Sequence, residues 1–503
     1  MEIVYYLILI LYSLILLYIL MFNLLQLELL LTYRRNKRRD TRQNGKAYDS
    51  IEKYPVVTIQ LPVFNEKYVV SRLIDNICRL DYPIDKLEIQ VLDDSTDETV
   101  TISQQKVREY RAQGFDISLI QRKNRTGYKA GALQHGLQRA KGELIAIFDA
   151  DFLPGPGFLR EVVPSFQNPD VGVVQTRWEH LNQHHSLITE IQAFQLNVHF
   201  IIEQNARCQA DYLLQFNGTA GIWRKSTILD AGGWHADTLT EDLDLSYRAQ
   251  LHGWKILYRD DVGSPAELPA EISSYKSQQF RWMKGGAETA RKLIPVIWNS
   301  DLPFWKKVHA SAHLTASSIF LLIFAMAILS VPMIWAITGL HVHMEYYLIF
   351  AIGIISLVFI FFQANVSSTD HRSPGSRLQQ IRKFVLMFPV FMAVSMGLSF
   401  HHSRAVLQGY RGKKSEFVRT PKVHSPGGDK NHSLYLTSQL SPDTWWEGFL
   451  SLYFVFGIAM GLYLHQYAML ILHVILATGF GLIFVYSIRA NLSPGQKKIL
   501  KPV

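Results

Sequence analysis

The chain has little cysteine: its 503 residues include two, Cys78 and Cys208. Two cysteines so far apart speak against a disulfide framework and a cysteine-rich zinc site, and they fit a reducing compartment. A nucleic-acid-binding motif is also lacking, although the formal net charge is +9. Because many basic residues flank apolar segments, we interpret this charge as membrane-orienting and expect no nucleic-acid partner.

The first apolar segment, residues 3–22, lacks the basic residues that precede the core of a secretory signal peptide. Its length matches the roughly 20 residues that cross a bilayer. A basic cluster follows it within residues 34–39, which places the N-terminus outside and the next domain in the cytosol. We therefore expect a transmembrane anchor in residues 1–33 and a basic cytosolic linker in residues 34–54.

Further apolar runs are predicted to cross the membrane at residues 314–337, 346–362, 449–464 and 467–488. Another apolar run, residues 384–400, has basic residues on both sides, such as Lys383 and Arg404. A single crossing cannot leave both flanks in the cytosol, so we expect this run to lie at the interface as an amphipathic or re-entrant segment. The sequence thus predicts a multi-pass protein of an inner or plasma membrane, with five crossings, membrane lipids as partners and a cytosolic C-terminal tail.

Between the anchor and these runs, short β-rich segments alternate with helical patterns. The predicted strands are residues 56–61, 88–92, 117–120, 144–148 and 171–174, and the predicted helices are residues 67–79, 99–111 and 129–140. This alternation predicts an α/β domain with a mostly parallel sheet and helices on both faces. Such sheets bind ligands at the carboxyl ends of their strands.

Acidic residues follow two of the predicted strands. Asp93 and Asp94 come after one strand, and Asp149 and Asp151 come after another. Positions i and i+2 of an extended chain point to the same side, so Asp149 and Asp151 can converge on one point. Two carboxylates suit a hard divalent cation, Mg²⁺ or Mn²⁺, that is shared with phosphates. The alternative is that these aspartates only form turns and helix caps.

A third acidic cluster contains Glu241, Asp242 and Asp244, just before a helical pattern at residues 245–251. One of its carboxylates could act as general base for an acceptor hydroxyl. In the alternative interpretation, Thr240 is the N-cap of the helix and the carboxylates only favour its first turn.

A fourth cluster contains Gln278, Arg281 and Trp282. Arg281 offers a bidentate fork for phosphate, and Trp282 offers a flat apolar face for a sugar ring. The alternative is an amphipathic helix that rests on the membrane.

These four clusters, in this order, resemble the motifs of the processive family 2 glycosyltransferases: cellulose synthases, hyaluronan synthases and, most closely, cellulose-synthase-like mannan and glucan synthases. The matching segments are residues 60–66, 90–97, 124–133, 148–152, 175–178, 216–224, 241–244 and 278–282. The resemblance implies a cytosolic, GT-A-type (Rossmann-like) glycosyltransferase domain in residues 55–290, inserted between transmembrane helices. An interfacial helix in residues 291–313 and a membrane region in residues 314–503 would follow.

The resemblance also implies a role for each motif residue. The nucleotide sugar would be bound by Pro62, Phe64, Glu66, Asp93, Asp94, Lys129, Asp149, Gln278 and Arg281. Asp149 and Asp151 would hold the metal, and Asp242 would be the base, with Glu241 as second candidate. The acceptor would lie near Phe216, Asn217, Gly218 and Trp282. Cellulose synthases carry a cysteine-containing stretch at residues 216–219, so the acceptor preference stays open.

Residues 417–422, within a cytosolic segment spanning residues 409–444, resemble the gating loop of bacterial cellulose synthase. Thr420 and Lys422 could reach a nucleotide diphosphate and exclude water from the site. The alternative is a basic stretch that binds anionic lipid.

The implied activity is inverting transfer of a hexose from UDP-glucose or GDP-mannose to a growing β-linked glycan, with coupled export. Two other functions stay open: a single transfer to a membrane lipid, as in ceramide glucosyltransferases, and a non-catalytic membrane protein. Because all the acidic motif residues are present, an enzyme is the favoured interpretation.

Overall fold

A computed structural model describes residues 2–40, 53–367, 376–415 and 441–491 of the chain. In these residues seven strands form one sheet. The strands are β1 (Val57–Val63), β2 (Leu87–Asp93), β3 (Asp116–Ile120), β4 (Leu144–Ile147), β5 (Val171–His180), β6 (Gly221–Arg224) and β7 (Lys255–Ala266). Their order across the sheet is β3-β2-β1-β4-β6-β5-β7.

The sheet is mostly parallel, as predicted. β1 pairs in parallel with β2 and β4, β2 with β3, and β5 with β7, whereas β6 runs antiparallel to β4 and β5. Val63 of β1 lies opposite Asp93 of β2, and Gln60 of β1 lies opposite Ile147 of β4. The carboxyl ends of these three strands therefore meet at one edge of the sheet.

Both faces of the sheet are covered, because alternate residues of a strand enter different hydrophobic clusters. In β4, Leu144 and Ala146 belong to one cluster, and Ile145 and Ile147 belong to another. The helices of this domain are α2 (Val70–Ile77), α3 (Thr99–Ala112), α4 (Tyr128–Leu137), α5 (Phe158–Val162), α6 (Leu187–Asn197), α7 (Gln204–Gln209), α8 (Lys225–Asp230) and α9 (Glu241–Leu251). A π-helix, Val198–Glu203, joins α6 to α7.

Long helices flank the sheet domain in the sequence. They are α1 (Glu2–Asp40), α10 (Ile272–Trp298), α11 (Phe304–Leu314), α12 (Ser318–Gly339), α13 (Ala351–Phe362), α14 (Arg377–Gly397), α15 (Ser399–Tyr410), α16 (Pro442–Tyr463) and α17 (Leu470–Asn491). The first helix continues beyond the predicted anchor into the segment predicted as a linker. Its residues Leu29, Leu30 and Tyr33 are buried in a cluster that includes Ile191 of α6.

Six helical segments in the described residues are long and apolar enough to cross a membrane. Five of them correspond to the predicted crossings, and the sixth is α14, which overlaps the run expected at the interface. Length and composition do not place α14 relative to a bilayer, so the expected number of crossings stays a prediction.

The helical pair α14–α15 contacts the sheet domain near its start and α10, the helix that follows that domain, near its end. Near its start, Lys383 Nζ lies 3.5 Å from Glu190 Oε1 of α6. Near its end, a Cβ added at Gly409 would lie 2.6 Å from the carbonyl oxygen of Lys284 on α10. Between these contacts α14 crosses α17 so closely that a Cβ at Gly397 would lie 2.4 Å from the carbonyl oxygen of Gly479.

Candidate active site

The strand pairing brings the predicted acidic residues to one edge of the sheet. Asp93 ends β2, Asp149 and Asp151 follow β4, and Phe64 follows β1. The register of the three parallel strands places these groups at one edge of the sheet.

Lys129 lies in the first turn of α4, directly after Gly127 and Tyr128, whose φ angles are 73° and 49°. Its Nζ donates hydrogen bonds to Asp149 Oδ1 at 2.6 Å and to the carbonyl oxygen of Gly218 at 2.9 Å. Burial lowers the pKa of Lys129, but the carboxylates of Asp149, Glu241 and Asp242 outweigh it and the net pKa is raised. The ammonium group therefore stays charged beside these acids.

Residues 216–219 form a loop that contacts both Asp149, at the edge of the sheet, and Asp242 of α9. The Asp149 backbone N–H donates to Thr219 Oγ1 at 2.8 Å. Gly218 has φ +78°, and a Cβ there would lie 2.9 Å from Asp242 Oδ2. Glycine thus allows both the left-handed backbone and the close approach of the carboxylate.

Phe216 and Asn217 were predicted to lie near the acceptor, and the structure buries them to different extents. The Phe216 ring is fully buried and packs edge-to-face on Trp223, with ring centroids 5.4 Å apart. It therefore offers no surface to a ligand in this structure and instead anchors the loop. Asn217 is half-buried, and its backbone N–H donates to Gln175 Oε1 at 2.7 Å.

Glu241 and Asp242 lie in the first turn of α9. Burial, and after it the neighbouring Glu241 carboxylate, raise the pKa of Asp242 to about 7 against the opposing charge of Lys129. Burial also raises the pKa of Glu241. A carboxylate with a pKa near neutrality is suited to accept a proton at physiological pH.

Thr240 is the N-cap residue of α9, but it makes no side-chain capping bond. Its hydroxyl is instead 3.0 Å from Thr289 Oγ1 on α10. The Thr240 side chain therefore does not cap α9, which the alternative interpretation of this cluster had proposed.

Asp244, the next acid in the cluster, is fully buried and bound by cations. Its Oδ2 lies 2.8 Å from Arg248 Nη2, and its Oδ1 lies 2.8 Å from Lys292 Nζ. Asp244 also forms a possible metal-binding group with His235 and Asp237. Because the Lys292 ammonium lies 2.8 Å from Asp237 as well, a cation already occupies the centre of this group.

Gln278, Arg281 and Trp282 lie on α10 and are half-buried. Burial lowers the pKa of the Arg281 guanidinium, and four carboxylates act against this by raising it. They are those of Glu241, Asp149, Asp242 and Asp151. Arg281 therefore faces the same acidic edge as Lys129, which the alternative of a helix lying only on a membrane does not explain.

The other predicted donor-site residues lie in β1 and β2 or directly after these strands. Asp93 and Glu66 are buried, and Asp93 Oδ1 accepts a hydrogen bond from the Ser95 backbone N–H at 2.9 Å. Pro62 belongs to β1 and is half-buried. Thr420 and Lys422 lie outside the described residues, so their predicted contact with the nucleotide stays a prediction.

Two arginines that were not predicted belong to this part of the site. Arg122 makes a bidentate ion pair with Asp94, and Arg125 stacks on the Phe64 ring, 3.4 Å from its centroid. Both follow β3, the parallel neighbour of β2, and basic residues after that predicted strand were the signal that could have found them.

Comparison with known proteins identifies this domain. The family described as "Glycosyltransferase like family 2" matches residues 55–285. Residues 55–285 are thus similar to a family 2 glycosyltransferase domain. The predicted resemblance is thus confirmed.

Several curated plant proteins resemble the chain over this part. Glucomannan 4-beta-mannosyltransferase 2 of Arabidopsis thaliana is 44% identical over 262 residues, which are 51% of this chain and 49% of the relative. Glucomannan 4-beta-mannosyltransferase 1 of Oryza sativa subsp. japonica is 42% identical over 262 residues, which are 51% of this chain and 50% of the relative. The chain spans about half the length of these relatives.

A solved structure shares the fold of this glycosyltransferase domain. It is mannosyltransferase PcManGT from Pyrobaculum calidifontis in complex with GDP-Man and Mn²⁺, with a TM-score of 0.50 and 18% identity. The similarity covers 79% of this chain and all of that chain. At this level of identity it shows the fold, and the GT-A-type prediction is confirmed.

Proposed function

We propose that the protein is an inverting hexosyltransferase that extends a β-linked glycan, with GDP-mannose as its preferred donor. The single observation that carries the proposal is the gathering of Asp149, Asp151, Glu241 and Asp242 around Lys129 and Arg281. The choice of mannose is supported by the names of the relatives, which describe glucomannan 4-beta-mannosyltransferases.

Asp242 is the proposed base. It lies at the Gly218 side of the cluster, and its pKa of about 7 lets it accept the proton of an acceptor hydroxyl. One base and one displacement at the anomeric carbon invert the configuration, so an α-linked donor gives a β-linked product. No covalent enzyme intermediate is required.

Lys129 and Arg281 are the proposed partners of the departing diphosphate. Both are cationic and both face the carboxylates at the sheet edge, so negative charge that develops on the leaving group meets fixed positive charge. Trp282, on the same helix as Arg281, is the proposed platform for the acceptor sugar.

Asp149 and Asp151 are the proposed ligands of Mg²⁺ or Mn²⁺. The residues fit a hard cation, because oxygen ligands predominate and the carboxylates of the cluster outnumber Lys129 and Arg281. A bound divalent cation would stabilise the charge of the diphosphate.

The proposed location is a membrane, with five crossings, the glycosyltransferase domain in the cytosol and the glycan exported through the helices. The contacts of the α14–α15 pair with Glu190 and Lys284 support this number, because both ends of the pair then lie on the side of that domain. Exposed Phe304 and Trp305 of α11 are suited to contact lipid.

Labelling with a membrane-impermeant thiol reagent tests the topology. In a background without Cys78 and Cys208, cysteines replacing Arg377 and Lys414 should both be protected in intact cells. A cysteine replacing His343, between α12 and α13, should react and serves as the control. Reaction at Lys414→Cys but not at Arg377→Cys would show that α14 crosses the membrane.

The activity is tested by offering the purified protein a panel of nucleotide sugars with Mn²⁺ or Mg²⁺. We expect transfer from GDP-mannose to a polymer that a β-mannanase digests. Transfer from UDP-glucose would show that UDP-glucose is the donor. A product with a single sugar attached to a lipid would show that the protein glycosylates a lipid and does not make a polymer. No transfer from any donor in the panel would contradict the proposed function.

A further inference from the structure

The loop at residues 215–219 is held by a chain of side-chain hydrogen bonds that no sequence motif marks. Gln204, fully buried at the start of α7, donates from Nε2 to the Gln215 carbonyl oxygen and to Asn217 Oδ1, each at 2.7 Å. Asn217 Nδ2 lies 2.9 Å from His199 Nε2, and His199 Nδ1 lies 3.0 Å from Glu203 Oε2.

The donors and acceptors in this chain follow from one fixed point. The carbonyl oxygen of Gln215 can only accept, so the atom of Gln204 that faces it is the amide nitrogen. The same nitrogen then faces the oxygen of Asn217, which turns the Asn217 NH₂ group toward His199. His199 Nε2 must accept, and the proton of the neutral ring is on Nδ1, where it is donated to Glu203.

The surroundings of Glu203 agree with this assignment. Burial raises the pKa of Glu203, but the hydrogen bond from His199, together with Arg207 and a hydrogen bond from Gln26, outweighs burial and lowers the pKa. Glu203 is therefore an ionised acceptor. Because Gln26 belongs to α1, the hydrogen-bonded chain begins at the first membrane-type helix.

The π-helix Val198–Glu203 begins just before His199 and ends at Glu203. Such one-turn π segments cost stability and frequently occur at functional sites. On the other side of the loop, Ala220 has a φ angle of +55°, which is costly for a residue other than glycine unless the surroundings hold it. The loop is thus an intrinsically unfavourable conformation held from both sides.

We propose that His199, held by Glu203, is a positioning residue for transfer, which acts through Asn217 on the loop that bears Gly218. Gly218 of this loop contacts the proposed reacting groups directly. Its carbonyl oxygen accepts a hydrogen bond from Lys129, and its Cα lies next to Asp242. The inference rests on the proposed function.

Two conservative variants separate the two ring nitrogens. In His199→Gln the amide oxygen can occupy the Nε2 position and accept from Asn217, whereas in His199→Asn the amide nitrogen can replace only Nδ1 and donate to Glu203. We expect His199→Asn to lower kcat about tenfold, as for a lost buried hydrogen bond, and His199→Gln to stay within about threefold of wild type. Equal activities of the two variants would overturn the proposal.

A double-mutant cycle with Asn217 sharpens the test. If His199 acts through Asn217, adding His199→Asn to Asn217→Ala should lower kcat by less than about twofold further. Losses that multiply would show that His199 acts elsewhere and would overturn the proposal.

Hydrogen exchange of the full chain in detergent provides a readout that does not require activity. The amide of Asn217, bound to Gln175, should lose about tenfold protection in His199→Asn and keep it in His199→Gln. This outcome would support the positioning role even if the donor panel gave no product, which would contradict the proposed function alone. Unchanged protection in His199→Asn would overturn the positioning role.

Discussion

Buried charged side chains are arranged differently at the carboxyl edge of the sheet and among the packed helices. At the edge, four carboxylates act on Arg281 and three of them also act on Lys129, and burial together with Glu241 raises the pKa of Asp242 to about 7. Among the helices, Lys276 of α10 forms an ion pair with Glu447 of α16, and Ser487 of α17 bonds to both. Unbalanced charge lies at the proposed active site, and balanced charge holds helices together.

The largest expected effect concerns the metal ligands at the edge. Asp149→Asn and Asp151→Asn each remove a charged oxygen ligand, so transfer should fall about a hundredfold or more while the domain stays folded. Transfer rates at several Mn²⁺ concentrations measure this. The matched control is Asp170→Asn, whose pair with Lys255 is exposed. Normal turnover of either variant at low metal concentration would remove Asp149 and Asp151 from the metal site.

The next effect concerns the base. Asp242→Asn keeps the size of the side chain and an oxygen for the Leu243 N–H, but it cannot take a proton. Transfer should fall by about a hundredfold to ten-thousandfold, whereas nucleotide-sugar binding should stay nearly intact. Calorimetry of donor binding beside initial rates makes the distinction, with Glu241→Gln as the matched variant. Equal losses of binding and rate would reassign Asp242 to the donor pocket.

A change in the Lys276–Glu447 ion pair should affect the stability of the protein and not the transfer step. Lys276→Met leaves the Glu447 carboxylate buried without its cation, which costs about 3–5 kcal/mol of unfolding free energy. Thermal unfolding in detergent should show a clear drop in Tm, and much of it should return in the double variant Lys276→Met, Glu447→Met. The comparison between the two regions would fail if the single variant were as stable as wild type.

The smallest effect is a pH dependence of stability at the edge. The pKa of Asp242 is raised from 3.8 to about 7, so the folded protein holds this proton more tightly than the unfolded chain does. Stability due to Asp242 is present at low pH and is lost as the pH rises through 7. The Tm difference between Asp242→Asn and wild type should therefore favour the variant more at pH 8 than at pH 5. An identical difference at both pH values would contradict the raised pKa.

The sequence predicted the parts of the fold that have a strong local signal. β4 is a continuous apolar run, whereas β1 and β2 alternate apolar with polar residues. The acids after β2 and β4 lie at one edge because parallel strands end together. The strands β6 and β7 were missed. β6 has only four residues, which carry no distinctive periodicity, and the charged residues 259–261 interrupt the apolar pattern of β7. The unpredicted length of α1 has a tertiary cause, since Leu29 and Leu30 pack with α6.

Within the site, motifs predicted which residues gather but not how each one acts. Phe216 belongs to a motif, yet it is a core residue, and Asp244 belongs to another, yet Arg248 and Lys292 bind it. His199 and Glu203 could not be found from the sequence, because their importance depends on a π-helix and on contacts with a distant loop. Tertiary contacts decided all of these cases.

The configuration of the newly formed bond tests the central claim most directly. Purified protein would be supplied with GDP-mannose, in which the sugar is α-linked, together with Mn²⁺ and a short glycan acceptor. The anomeric carbon of the product would then be examined by NMR. Direct displacement with Asp242 as base predicts a β-linked mannosyl residue, and an α-linked product would contradict the account.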